Sequence, residues 1–500
     1  LYVTDNIMPA VVDALLDLCA NDMVLEFQDG NWRFAHDKIR ETLLKDLTTE
    51  EQVTLNARIA RAIESAYPNN PLYAEALANH WYRAGDHERT IINTVQAMEQ
   101  VVNLVANYPY ALQLIDRALA LPAIETMPEQ KAALCNWQGN IAERQGRYRD
   151  AQAYCTAGLT LIEKTLVAKD HPLVARLHNE LSRALWRQGD FETAIHHASQ
   201  AKDISQAAGN LKELAASIKN LAAIADYQGK YDTAQELDIQ SLAICRQIGD
   251  RSGIESILNN MGVTAYITGQ YTTARELHEE SLTISREIRD RQGIALNLSM
   301  LARLARVRGE YPTARNYLEE SLVISREIGD QRLIAVALSN LGSVMYVEEL
   351  YDQAQTTFEQ SLVISREIGD RRGSAITLNY LAAALLIQRK LPEARRILRE
   401  SLELAYPVKA AAMIISAVVI MAQLYAYEGQ WEKSALIAGL MSEHPLLAAD
   451  FRVQHFNPLL KDLKLSPSHS EDELATVMER GKSLDLDGVI RQFLEEQSPA

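Results

Sequence analysis

A motif that returns every 40 residues constrains this chain more than any other feature. Gly229-Lys-Tyr231-Asp-Thr-Ala234 reappears as Gly269-Gln-Tyr271-Thr-Thr-Ala274 and as Gly309-Glu-Tyr311-Pro-Thr-Ala314. Earlier copies stand at Gly146 with Tyr148 and Ala151, and at Gly189 with Phe191 and Ala194. Degenerate ones follow at Glu349, Arg389 and Gly429, and from 189 to 429 every step is 40 residues. A second signature keeps the same beat: SLAICRQIGD at 241–250, SLTISREIRD at 281–290, and SLVISREIGD at 321–330 and 361–370. One such unit cannot bury its own apolar face, so copies must stack side by side.

Each unit reads as two helices. A small residue precedes each turn by seven positions: Ala222, Gly262, Ala302, Gly342, Ala382 and Ala422. It lets the first helix approach the second. The turn glycine ends the first helix by adopting positive φ. The aromatic two residues later is expected to pack buried in the hinge. Gly249-Asp250, Gly329-Asp330 and Gly369-Asp370 stop the second helix and cap the next one. Glu349 and Arg389 replace the turn glycine, which predicts a slightly altered turn at both.

Composition fits a helical, water-soluble chain: of 500 residues 47% are apolar, 23% charged and 6% aromatic. The net charge of −16 repels phosphate backbones and anionic lipid, so neither nucleic acid nor a membrane surface is an expected partner. Residues 410–427 carry no charge, but they fall on the repeat register and read as a buried helix. Four isolated cysteines without a C-x-x-C predict free thiols in a reducing, cytoplasmic setting. No nucleophile elbow, H-E-x-x-H or dinucleotide turn appears, so no catalytic residue and no metal site is expected.

The order small residue, glycine seven later, aromatic two on, alanine three beyond resembles the tetratricopeptide repeat. The resemblance covers about residues 130–440 and implies an all-α fold, a right-handed α-solenoid with a concave groove. The 40-residue unit is six longer than the usual 34, which predicts helices of about 16 residues, near 24 Å each. Four segments follow: 1–65 a winged-helix-like element, 66–125 an irregular helical connector, 126–440 the solenoid and 441–500 capping helices.

The first segment has a helical pattern at 10–20, a hairpin signal around Asp29-Gly30 and a further helix at about 37–46. Its acidic balance argues against DNA contact. Phe34-Ala35-His36-Asp37 with Ile39-Arg40-Glu41 resembles the winged-helix segment of STAND-type signalling ATPases. That resemblance implies that His36 senses the phosphates of ADP, with Asp37 as its helix-capping neighbour. No phosphate-binding loop is present, so ATP or ADP is expected only if an ATPase domain lies upstream. The start Leu1-Tyr2-Val3, without an initiator methionine, is expected of a piece of a longer protein.

First-helix positions expected to face the groove offer polar groups in columns: Lys219, Asn220, Asn259, Asn260, Ser299, Ser339, Asn340 and Asn379. Asparagine is a poor helix-interior residue, and a ladder of it either offers amides to a peptide backbone or bridges neighbouring helices. One turn on, Arg303, Arg306, Ser343 and Tyr346 join the wall, and Arg303 with Arg306 is suited to a carboxylate or phosphate. The resemblance to STAND-type ATPases implies a sensing function for this groove: it would bind a protein, peptide or small-molecule inducer, coupled to the upstream ATPase domain. The alternative is a stand-alone scaffold or peptide receptor without a nucleotide link.

Overall fold

The computed structural model describes residues 25–28, 31–34, 47–104, 107–164, 171–407 and 409–496. The chain divides into two compact parts, Leu1–Leu134 and Cys135–Ala500.

In the first part, strands Leu25–Gln28 and Asn31–Phe34 pair antiparallel, with Leu25 opposite Phe34 and Phe27 opposite Trp32. The helices expected at 10–20 and 37–46 lie outside the described residues, as do His36 and Asp37. Helix Thr49–Ala66 opens on a capping box in which Thr48 and Glu51 satisfy each other's backbone N–H groups. Helices Ala74–Arg83 and His87–Met98 pack as an irregular pair. Trp81 is buried there and donates its indole N–H to Glu64 at 2.9 Å.

The second part is the expected α-solenoid. First helices begin at Leu211, Arg251, Arg291, Gln331, Arg371 and Ala411, and all six run 17 residues. Second helices begin on the hinge aromatic or its equivalent, from Phe191 through Tyr231, Tyr271, Tyr311 and Tyr351 to Leu391 and Trp431. Those of Tyr231, Tyr271 and Tyr311 are half-buried, not fully buried as expected, because the hinge leaves part of each ring to solvent. Asp250, Asp290, Asp330 and Asp370 each cap a first helix by accepting from the N–H three residues on.

Two constraints fix how the helices pair. A serine opens the second signature, or the equivalent position, in five successive units and is fully buried in each. Its hydroxyl donates to a first-helix carbonyl 26 residues back: Ser241 to Ala215 (2.8 Å), Ser281 to Glu255 (3.0 Å), Ser321 to Ala295 (2.8 Å), Ser361 to Ala335 (2.8 Å) and Ser401 to Ala375 (3.2 Å). The small residue admits a bulky partner from the second helix. A Cβ added at Gly342 would stand 2.6 Å from the Phe358 ring, and one at Gly262 would stand 2.6 Å from His278.

The turns at Glu349 and Arg389 are not altered, contrary to expectation. Both residues take φ near +60° (64° and 61°), the left-handed geometry that glycine supplies elsewhere, and the helix ends close through Leu350 N–H to the Met345 carbonyl (2.9 Å) and Lys390 N–H to the Leu385 carbonyl (3.0 Å). Along the outside, arginines that open first helices pair with the signature glutamates of their own unit, as Arg251 with Glu287 and Arg291 with Glu327. These pairs are half-exposed and contribute little stability.

The chargeless helix Ala411–Tyr427 is core, and no helix among the described residues is long and apolar enough to cross a membrane. Helix Glu471–Gly481 crosses helix Trp431–Met441 in backbone contact: a Cβ at Gly439 would meet the Met478 carbonyl at 1.9 Å, and one at Gly481 the Leu436 carbonyl at 2.0 Å. Glu496, just past the last helix, gathers Arg395, Lys433 and Tyr425 around its carboxylate.

Two substitutions should move stability in opposite directions. Gly342→Ala is expected to lower it by about 1–3 kcal/mol through overpacking against Phe358. Glu349→Gly is expected to raise it by about 1 kcal/mol by relieving the left-handed backbone. Urea unfolding followed by circular dichroism checks both.

Candidate functional site: an inner wall that holds a segment of its own chain

Three residues before each turn, the first helices present a column of large or polar groups: Asp226, Tyr266, Arg306 and Tyr346. The chain returns to this column with residues 446–456. Leu446 lies against Gly229 and Ala449 against Gly269, at 2.8 and 3.0 Å from where a Cβ would stand. Asp450 meets two units at once. Its Oδ2 accepts from the Tyr266 hydroxyl at 2.6 Å and from Arg306 Nη2 at 3.1 Å. The Tyr266 hydroxyl also receives Arg306 Nη2 at 3.2 Å. Further on, the His455 ring lies 5.7 Å from that of Tyr346 and 4.3 Å from that of Phe451. Gln423 donates to the His455 carbonyl at 2.9 Å. The segment thus meets successive repeats in chain order.

The local structure of the segment is short-range. After turns at 442–447, Ala449–Phe451 forms a single α-turn and Arg452–Phe456 a widened π-type turn. The helices on either side, Trp431–Met441 and Asn457–Leu465, anchor it at both ends. Burial alone would raise the pKa of Asp450 above the ordinary carboxylate range, but Arg306, then Arg303, outweigh it and hold the group ionised. Burial pushes the His455 imidazole down to about 4, so it sits in the wall neutral.

The predicted site residues divide into two sets. The asparagines bridge helices. Asn220 donates to the Asn179 carbonyl (3.1 Å), Asn259 to the Asn297 side chain (3.0 Å) and Asn379 to the Met413 carbonyl (3.0 Å). All three are buried. The offer of these amides to a peptide is therefore corrected: the 40-residue step brings first helices side by side, and the column faces the neighbour. Lys219 reaches Ser256 across the same seam at 3.0 Å. Ser299 bonds Ser321, and Ser339 receives Thr377. Asn260 is half-buried, and its carbonyl accepts from Thr264.

Arg303, Arg306, Asn340, Ser343 and Tyr346 form the second set, and two of them touch the returning segment. Arg306 is not open to an outside anion as expected, since Asp450 already pairs with it and its side chain is 1% exposed. Arg303 stacks on the Tyr266 ring, 4.2 Å from its centroid, instead of sharing an anion with Arg306. Ser343 turns its hydroxyl back to the Asn340 carbonyl, and the buried Asn340 Nδ2 has no partner. Tyr266, Asp450 and His455 were not anticipated. Tyr266 shares its repeat column with Arg306 and Tyr346, a signal present in the sequence. Asp450 lies past the regular repeats, and nothing in its neighbourhood announces it.

Beside the wall, Glu255 is buried and its Oε1 accepts from Ser281, Ser285 and Asn297 at 3.0–3.1 Å. Burial, then the nearby Asp290 charge, raises it to about 7. His278, packed on Gly262, is pushed down to about 4 by burial. Among the described residues, no cluster of histidine, cysteine and carboxylate groups is arranged to hold a metal ion. Cys155 and Cys245 are free, buried thiols, and Cys135 is buried as well.

The Glu255 carboxyl keeps its proton to about pH 7 in the folded chain, whereas its usual pKa is 4.5. Unfolding therefore releases a proton between these values, and stability falls as pH rises through that window. Glu255→Gln is expected to remove this loss, on the order of 2–3 kcal/mol, so that the variant gains on the parent between pH 4.5 and 7.5. Urea midpoints of both proteins at the two pH values measure it.

Comparison with known proteins agrees with this architecture. The tetratricopeptide repeat model matches residues 131–207, 213–287, 253–327 and 333–406. A search of curated proteins gives no match. Among solved structures, the chain is similar to the Rap conjugation gene regulator of the plasmid pLS20 in complex with a peptide. The TM-score is 0.50 at 15% identity, over 68% of this chain and 96% of that one. It is also similar to NprR in complex with its cognate peptide NprX, with a TM-score of 0.47 at 15% identity over 63% and 88% of the two chains. A third similarity is to a Signal Transduction ATPase with Numerous Domains protein with a tetratricopeptide repeat sensor from Pyrococcus horikoshii. There the TM-score is 0.39 at 16% identity, over 96% of this chain but 62% of that protein's length. Identities this low speak to the fold alone. The family matches span more than half of the sequence and reproduce the observed helix pairs: the chain belongs to the tetratricopeptide repeat family.

Proposed function

We propose that the repeat array is a recognition module that takes up a polypeptide segment, from a peptide or a partner protein, on the inner wall around Tyr266, Arg303, Arg306 and Tyr346. The observation that carries this reading is the returning segment itself: the wall already accommodates polypeptide at Tyr266, Arg306 and Tyr346, through side chains of three successive repeats. The pLS20 Rap regulator, which shares the fold, is solved with a peptide, and this supports a polypeptide over a small inducer. Aromatic and arginine anchors are the side chains that dominate such contacts.

Panning a random-peptide library against the full chain tests the reading. Enriched peptides are expected to lose affinity about tenfold or more in Arg303→Ala and Tyr346→Ala, with the thermal melt of the array retained. No enrichment, or binders indifferent to both variants, would refute it.

The same reading makes the array the sensor of a signal-transduction ATPase, a proposal supported by the resemblance of residues 34–41 to STAND-type winged-helix segments. His36 then contacts ADP held by an upstream domain, with Asp37 capping the adjacent helix. In the full-length protein His36→Ala is expected to weaken ADP binding about tenfold, measured by calorimetry. Unchanged affinity leaves the array a stand-alone peptide receptor.

A further inference from the structure

We propose that Tyr266 and Arg306 form a carboxylate subsite on the inner wall, that Asp450 fills it as an internal stand-in, and that the partner is a peptide whose acidic side chain displaces Asp450. This rests on the reading of the array as a peptide-binding module.

The subsite is built for an anion. The Arg306 side chain is 1% exposed and that of Asp450 6%. A guanidinium buried that deeply is tolerated only beside a negative charge. Arg306 belongs to a first helix and Tyr266 to the first helix of the preceding unit. The two donors are therefore set by the packing of the array and not by the segment that occupies them.

Asp450 uses the subsite incompletely. Both donors converge on one oxygen, Oδ2, while Nε and Nη1 of Arg306 are buried without a hydrogen-bond partner. A guanidinium matches a carboxylate best through two parallel N–H bonds. A free peptide can turn its carboxylate to take both, whereas Asp450 is held on a short turn between two anchoring helices. The rest of the segment is also an imperfect guest. Both ring nitrogens of His455 are buried without partners, between the rings of Tyr346 and Phe451. Buried polar groups left unpaired oppose docking, so the segment holds its place with less than the wall can give.

Tethering is what keeps it there. A covalently attached segment competes at an effective concentration far above that of a dilute free peptide. Weakening the internal Asp450 contact should therefore open the subsite to an outside ligand that the parent chain excludes.

The test uses two synthetic peptides: residues 445–457 of this chain (PLLAADFRVQHFN), and the same peptide with asparagine in place of its aspartate. Binding to the full chain is read by fluorescence anisotropy. The Asp450→Asn chain is expected to bind the aspartate peptide at least about tenfold more tightly than the parent. It should bind the asparagine peptide at least about tenfold more weakly than the aspartate one. Arg306→Gln, introduced alongside Asp450→Asn, should erase that preference. If the added substitution unfolds the array, the two peptides on the single variant decide alone. In the parent chain, saturating aspartate peptide should speed amide hydrogen exchange across residues 446–456 while the repeat helices stay protected. Equal affinity of parent and Asp450→Asn, or equal affinity for the two peptides, overturns the subsite. Library peptides that bind without an acidic residue and ignore Asp450→Asn overturn the subsite but leave peptide recognition standing. Absence of any peptide binding to either chain removes both.

Discussion

A single hydroxyl holds the repeat in register. The serine that begins each second signature is buried where two helices cross, and there it meets a carbonyl of the preceding first helix. A carbonyl already engaged in its own helix keeps a second lone pair, so the bond satisfies the serine without opening a helical turn. Apolar packing alone tolerates sliding, because ridges and grooves recur every turn. A directional bond in a dry interface does not. The glycines and alanines of the small column depend on this register, since only in this alignment does Gly342 face Phe358 and Gly262 face His278.

The repeat architecture was legible because its causes are local and repeated. A glycine at positive φ, an aspartate at a helix start and a small residue at a crossing each leave a mark on the sequence, and copies of that mark reinforce one another. The asparagine ladder was legible as a feature but not as a role. Whether Asn220 faces a ligand or Asn179 depends on where the neighbouring helix sits, which the composition of one column does not encode. Glu349 and Arg389 show the converse. Their side chains predicted a changed turn, yet both adopt the glycine geometry, with the same helix-end hydrogen bonds.

The wall was visible only in part. Arg306 and Tyr346 stand on the repeat period, and so does Tyr266, but Asp450, the partner of Arg306 and Tyr266, lies 144 residues after Arg306 along the chain, outside any periodic segment. A contact of that kind comes from the curvature of the whole array, which accumulates from small rotations between units. Its electrostatic logic is nevertheless simple. Desolvation penalises Asp450 and Arg306 separately, and each is tolerated because it lies beside the other. The neutral buried groups nearby, Glu255 with its proton and His278 without one, avoid the same penalty by giving up charge.

The crossing of Gly439 and Gly481, where two helices touch backbone to backbone, bears on assembly. A stack of helix pairs has no intrinsic last member, and its terminal face is as adhesive as every face within it. Here the final pair is roofed by a helix set too close for any further pair to insert. Stacking of another pair on that face is thereby opposed by geometry, without recourse to charge repulsion.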